Sequence, residues 1–180
     1  MPSVGILGNV CFNSSQFWNP YNERFWKMTY KLSNRSLERL EGVDDKLISL
    51  AKYAIGITKV DFGIPHLGGL RTMKQQRELV NKGASQTMKS KHLEGIAIDT
   101  VAYIGPRVSW ELNLYDGIAD AMKQSANDLG IKIRWGAAWH IDSIGDYEGS
   151  MEDAMNEYID LRRSQGKRPF IDAPHYELSG

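Results

Sequence analysis

The sequence is poor in cysteine, in long apolar runs and in any surplus of charge, and each shortage removes a class of protein. Cys11 is the single cysteine among 180 residues, so no disulfide can close within the chain. Zinc sites built on several thiolates are excluded with it, leaving ligand sets of histidine and carboxylate. No apolar run approaches the ~20 residues that a bilayer-crossing helix needs, so stable membrane insertion is not expected. The amino terminus, MPSVGILGNVCF, has neither a basic n-region nor a small-residue cleavage pattern and reads as no signal peptide. Lys+Arg and Asp+Glu both number 22, and that balance lacks the basic surplus of a nucleic-acid binder.

What is present is the composition of an ordinary globular protein, 42% hydrophobic and 24% charged. A chain of this length suits one domain and buries roughly two thirds of the surface its unfolded form exposes. It needs no metal in order to fold, so a metal site would be there for chemistry.

Residues 1–27 differ from the rest. They are rich in Asn, Ser and aromatics (Phe12, Phe17, Trp18, Tyr21, Phe25, Trp26) and show no clean period. They read either as a leader ahead of an alternative start at Met28 or as a wrap over the domain, with residues 28–180 forming the core unit. From Ser36, the residues Leu37, Leu40, Val43, Leu47, Leu50, Ala51 and Ala54 recur at helical spacing, with a break expected near Gly42.

Asp61 to Leu67 reads as a strand ending in a Gly68-Gly69 turn. A helix over 72–82 is bounded by Thr72 as N-cap and Gly83 as stop. Gly95 to Tyr103 reads as one strand, with Ile98 and Asp99 on opposite faces. Further helices are expected over 111–129, with Leu114, Ile118, Met122 and Leu129 in register, and over 151–165. Strands are expected at 131–135 and around His175 to Leu178. The mixture is an α+β fold with a small antiparallel sheet flanked by helices.

Four histidines make the search for ligands short. His92 and Asp99 stand seven residues apart in SKHLEGIAID, and His175 lies in DAPHYEL. Two imidazoles and one carboxylate form a recognised catalytic zinc set. Asp172, three residues before His175, is placed to move a proton between water and the leaving amine. Spacing alone is weak support, because any chain of this size contains such residues. His66, beside a strand end, reads as structural and His140 as solvent-facing. The acidic residues Asp142, Asp146, Glu148, Glu152 and Asp153 offer oxygen ligands to Ca2+, but they lack the spacing of an EF-hand loop. A solvated acidic loop is the simpler reading.

The motifs together say more. SKHLEGIAID resembles the Ser-x-His-x(6)-Asp signature of the LAS-type metallopeptidases, which include D-alanyl-D-alanine carboxypeptidases, dipeptidases and L-alanyl-D-glutamate endopeptidases. DAPHYEL resembles that family's second motif, GGLRTMKQQ its Arg-bearing segment, and WGAAW its Trp-Gly-x-x-Trp stretch. All four occur in the family's order, and the resemblance covers roughly residues 31–180. It implies a zinc site in a cleft, with His92, Asp99 and His175 as ligands and Asp172 as base. Arg71 would anchor substrate or offset oxyanion charge through its planar fork. Gln75 and Ser90 stand beside matched motifs and serve either as substrate contacts or in structural roles, and Trp139 is a candidate substrate contact that walls the cleft, or else simply core.

Carboxypeptidases of this kind usually carry Glu at the base position. Asp172 therefore implies the endopeptidase branch, acting on the L-Ala–D-Glu bond of peptidoglycan stem peptides. One departure is Ala138, where the family often has Asp. A compact chain without signal peptide or repeats resembles a monomeric phage endolysin, held in the host cytoplasm until a holin releases it to the wall. The rival expectations are a bacterial D-Ala-D-Ala carboxypeptidase or wall-remodelling peptidase, and a non-catalytic zinc-containing binding module.

Overall fold

A computed structural model describes residues 30–179; the expectations for residues 1–27 lie outside them. Among the described residues the first element is helix α1 (Asn34–Glu38), capped by the Ser33 hydroxyl, which accepts from the Ser36 amide at 3.2 Å. Helix α2 (Asp45–Ile57) starts afresh at an Asp44 cap. The expected break falls between them, where Gly42 takes a left-handed φ of +78° that a side chain would resist. Leu40, Val43, Leu47, Leu50, Ala51 and Ala54 from the predicted stripe are buried.

Strand β1 (Asp61–Gly63) is shorter than the expected run to Leu67. Pro65 has no amide to give a ladder, and the chain turns there, the Gly68 amide donating to the Pro65 carbonyl at 3.0 Å. Helix α3 (Met73–Asn81) has the expected Thr72 cap, strengthened by a capping box with Gln75. A single 3-10 turn (Lys91–Leu93) then carries His92.

The expected strand over 95–103 is two strands in two sheets. Strand β2 (Ala97–Asp99) pairs with one partner set and β3 (Val101–Ile104) with another. The switch falls at Thr100, whose amide donates to the Pro174 carbonyl at 2.9 Å. A change of partner leaves the side-chain period of two intact, so GIAIDTVAY carries no sign of the switch. Strand β4 (Arg107–Ser109), which the sequence reading did not expect, returns from β3 across a two-residue turn with Gly105 at φ +57°.

Helix α4 (Leu112–Leu129) ends on Gly130 in the left-handed region. Ile118 and Met122 are buried as expected, but Leu129, in the last helical residue, is exposed. Strand β5 (Ile133–Trp135), helix α5 (Met151–Ser164) and strand β6 (His175–Leu178) complete the chain.

Two three-stranded antiparallel sheets result, in the orders β1-β3-β4 and β2-β6-β5. Helix α2 lies along α4, which also packs on α5. The largest fully buried side chains include Trp135, Tyr115, Tyr176, Phe62 and Leu47; burying each such side chain contributes about 1.5–3 kcal/mol. Among the described residues no helix is long and apolar enough to cross a membrane.

Candidate metal centre and its cleft

Register explains how two residues 76 positions apart meet. In the antiparallel β2–β6 pair, Asp99 stands directly opposite His175, so their side chains share a face. Their neighbours Ile98 and Tyr176, also opposite one another, are buried in the core. His92 reaches the same point from the 3-10 turn, whose backbone is tied to the preceding segment by the Arg71 amide donating to the His92 carbonyl at 3.0 Å.

Close backbone packing sets this turn. A Cβ on Gly69 would lie 2.0 Å from the Arg39 carbonyl oxygen, and one on Gly95 would lie 2.5 Å from that of Gly42. Glycine is required at both.

Three donor atoms converge. His92 Nε2 lies 3.1 Å from Asp99 Oδ1 and 3.2 Å from His175 Nδ1, and His175 Nδ1 lies 3.0 Å from Asp99 Oδ1. Tetrahedral zinc with bonds near 2.0–2.1 Å spaces its ligands roughly 3.3 Å apart, so the set fits such an ion with little adjustment. Among the described residues this is the only His/Cys/Asp/Glu group of three that gathers in this way. The acidic residues of 142–153 form no such group; Asp153 instead closes the cap of α5 with Ser150.

The outer nitrogen of each imidazole is already engaged. His92 Nδ1 lies 2.9 Å from the Gly69 carbonyl, and His175 Nε2 lies 3.2 Å from Glu177 Oε2. A carbonyl can only accept, so His92 Nδ1 keeps a proton towards it, and in the neutral ring Nε2 is the nitrogen left to bind a cation at the shared point. Glu177 does the same for His175 Nδ1. Such partners fix ligand tautomer and ring orientation. Arg134 Nη1 holds Glu177 at 3.3 Å, while its other arm donates to the Trp139 carbonyl at 2.9 Å.

Charge is unevenly distributed around the donors. Burial alone would raise the Asp99 carboxyl, but hydrogen bonds from His175 and His92 and their charges hold it well below the usual carboxylate range. Burial would lower His175; its bonds to Asp99 and Glu177 outweigh that and raise it to about 9. Protein without metal therefore keeps a proton where a cation would sit.

Asp172 stands beside this cluster with no hydrogen bond to its carboxylate among the described residues. Burial and the Asp99 charge push it above its ordinary value, with His175, His92 and Arg71 partly offsetting them. The WGAAW stretch positions it. The Asp172 amide donates to the Gly136 carbonyl at 2.9 Å, the Gly136 amide to the His175 carbonyl at 2.9 Å, and Trp135 Nε1 to the Ala173 carbonyl at 2.7 Å. A Cβ on Gly136 would fall 2.2 Å from the Asp172 carbonyl oxygen. Ala138, at the position where the family often has Asp, is fully buried in the core, a place that would penalise an unpaired carboxylate.

The remaining sequence candidates divide. Arg71 lines the cleft, but its fork is engaged on three sides. Nη2 contacts Asp99 Oδ2, Nε donates to the Leu67 carbonyl at 2.6 Å, and Nη1 to Gln76 Oε1 at 3.3 Å. One N–H on each terminal nitrogen is left for a ligand. Gln75 takes the structural role: its side chain accepts from the Thr72 amide at 2.8 Å and closes the cap of α3, outside the cleft. Ser90 and Trp139 do line the cleft. Trp139 sits 5.7 Å from the His175 ring and stacks on Phe170 at 6.3 Å. His66 is exposed in a turn, and His140, also exposed, stacks on Tyr158 at 5.8 Å.

Three residues were missed. Glu177 follows His175 by two in a strand, so it shares that face, and HYEL could have disclosed it. Arg134 sits opposite Glu177 in the β5–β6 register. Gln76 is fully buried, and its Nε2 donates to Ser85 Oγ at 2.8 Å and to the Thr87 carbonyl at 2.7 Å, tying the 83–90 wall to Arg71. Leu79 and Val80, three and four residues on, already pointed to Gln76 as inward-facing.

Fold and site are those of a peptidase whose cleft holds a His/Asp/His group able to take a metal ion. The chain belongs to the phage L-alanyl-D-glutamate peptidase family, whose model matches residues 28–179. It is 33% identical over 129 residues to the L-alanyl-D-glutamate peptidase of Escherichia phage T5, an alignment covering 69% of this chain and 91% of that relative. An L-alanyl-D-glutamate peptidase of a Listeria phage is 40% identical over 70 residues, 39% of this chain and 24% of that relative. The crystal structure of the Serratia marcescens L-Ala D-Glu endopeptidase ChiX superposes with a TM-score of 0.58 at 32% identity, covering 84% of this chain and 91% of that one.

Proposed function

We propose that this chain hydrolyses the amide between L-Ala and D-Glu in peptidoglycan stem peptides, with zinc held by His92 Nε2, Asp99 Oδ1 and His175 Nδ1. The observation that carries the reading is the convergence of those three atoms at 3.0–3.2 Å with the unbonded Asp172 carboxylate beside them. Zinc bound there supplies a Lewis acid next to the scissile carbonyl.

The chain's own groups handle the protons and the geometry. Asp172 takes a proton from the attacking water and returns it to the D-Glu nitrogen as the C–N bond breaks. The water's oxygen ends in the new L-Ala carboxylate and its protons on the new amine. Raising Asp172 towards neutrality suits a group that must both accept and release a proton. Arg71 holds Asp99 in line and keeps two N–H groups for charge that develops on the carbonyl oxygen. Glu177 and Gly69 keep both imidazoles in the ligand tautomer, and Trp139 closes one side of the cleft.

In this reading the protein is a monomeric endolysin that serves host lysis. It waits in the host cytoplasm and meets the wall after release through a holin. Digestion of purified sacculi, with mass spectrometry of the fragments, tests it. The expected products are glycan ending in L-Ala and peptides beginning with D-Glu, lost on chelation and restored by zinc. Release of terminal D-Ala alone would assign the chain to the carboxypeptidases instead.

A further inference from the structure

The cleft is lined unevenly. Around the donor cluster, Arg71 is neutralised by Asp99, and Glu177 is matched by His175 and Arg134. Lys91 and Lys89 also line the cleft, yet neither has a carboxylate within ion-pair reach among the described residues. Lys91 is half-buried, and the nearby Glu177 carboxylate is already held by His175 and Arg134. Its backbone is fixed, the Lys91 carbonyl accepting from the Ile96 amide at 3.1 Å and the Glu94 amide at 3.2 Å. Trp139 and Phe170 supply an aromatic part of the same lining. A lysine that lines a cleft with no carboxylate in ion-pair reach is left to meet the charge of a ligand.

Resting on the proposed cleavage, the substrate's chemistry says which charge that is. Stem-peptide D-Glu is joined through its amine to L-Ala and through its side-chain carboxyl to the next residue, so its α-carboxylate is free. That carboxylate hangs on the carbon bearing the scissile nitrogen, three bonds from the carbonyl under attack. Lys91 adjoins His92 in the chain and both line the cleft, so the flexible lysine stem can bring its ammonium to an anion held next to the reacting bond. We propose that Lys91, with Lys89 at the outer rim, forms a subsite for the free α-carboxylate of D-Glu, so that the enzyme distinguishes free from amidated stem peptides.

The test uses two synthetic muropeptides that differ only at this group, one carrying the free α-carboxylate and one its amide. The zinc-loaded wild type is expected to favour the free form in kcat/KM by about tenfold, the scale of one charge-assisted hydrogen bond, chiefly through KM. Lys91→Met should bring that ratio close to one with its zinc content and melting temperature unchanged, whereas Lys59→Met, an exposed lysine outside the cleft, should keep the wild-type ratio. Equal cleavage of both substrates by wild type, or undiminished preference in Lys91→Met, overturns the subsite and leaves the peptidase reading standing. Cleavage of neither substrate by wild type overturns the peptidase reading and the subsite with it.

Discussion

The two sheets are alike in size and opposite in use. Both have three short antiparallel strands, and they are joined at Thr100, where β2 passes into β3. The β2-β6-β5 sheet carries Asp99, His175, Glu177 and Arg134, and its buried face holds Ile98, Tyr176 and Trp135. Its polar side chains hold one another in place. The β1-β3-β4 sheet contributes none of the donor atoms, and its outer hairpin leaves Ile104 and Val108 46% and 49% exposed. Secondary structure alone therefore says little about where chemistry sits. What separates the sheets is a second layer of polar groups behind the first.

The largest effect should come from the group nearest the bond. Asp172→Ala is expected to keep zinc, measured by metal analysis, while its hydrolysis rate falls by about 10²–10⁴, the usual worth of a positioned acid–base group. Full activity in that variant would remove Asp172 as base. Glu177→Gln tests the supporting layer: its zinc affinity, read by competition with a chromophoric chelator, should weaken by about 10–100-fold. An unchanged affinity would mean that the carboxylate does not orient His175.

A third effect separates the sheets by pH. In metal-free protein, His175 is raised from 6.5 to about 9 by Asp99 and Glu177. Its charged form thus adds stability that is complete below pH 6.5 and is lost as pH rises through 9. Calorimetry should show the melting temperature of chelated protein falling across that window, and His175→Ala should flatten the fall. The smallest effect belongs to the other sheet. Val108→Thr, on an exposed strand, should change stability by no more than about 0.5 kcal/mol and leave turnover untouched. A large loss of turnover there would blur the division between the sheets.

The sequence disclosed what recurs locally. Caps and periodicity located α3, α4 and α5, because signals such as Thr72, Gly83 and Gly130 act through their own neighbours. The three candidate donors stood in legible motifs, but that they meet depends on the Asp99–His175 register, which no short-range pattern encodes. The same limit hid the sheet switch at Thr100 and the strand β4. Glu177, Arg134 and Gln76 escaped notice because an inward-facing polar residue has the same letter as a surface one; only strand parity and helix phase tell them apart. Gln75 shows the reverse case, a residue beside a motif whose side chain serves its own helix.

Anomalous diffraction at the zinc edge from crystals grown with zinc tests the central claim most directly. The account predicts one peak ~2.0–2.2 Å from His92 Nε2, Asp99 Oδ1 and His175 Nδ1, with Glu177 still on His175 Nε2. A peak bound through His175 Nε2, or one seated at His66 or His140 with the cluster empty, would contradict it.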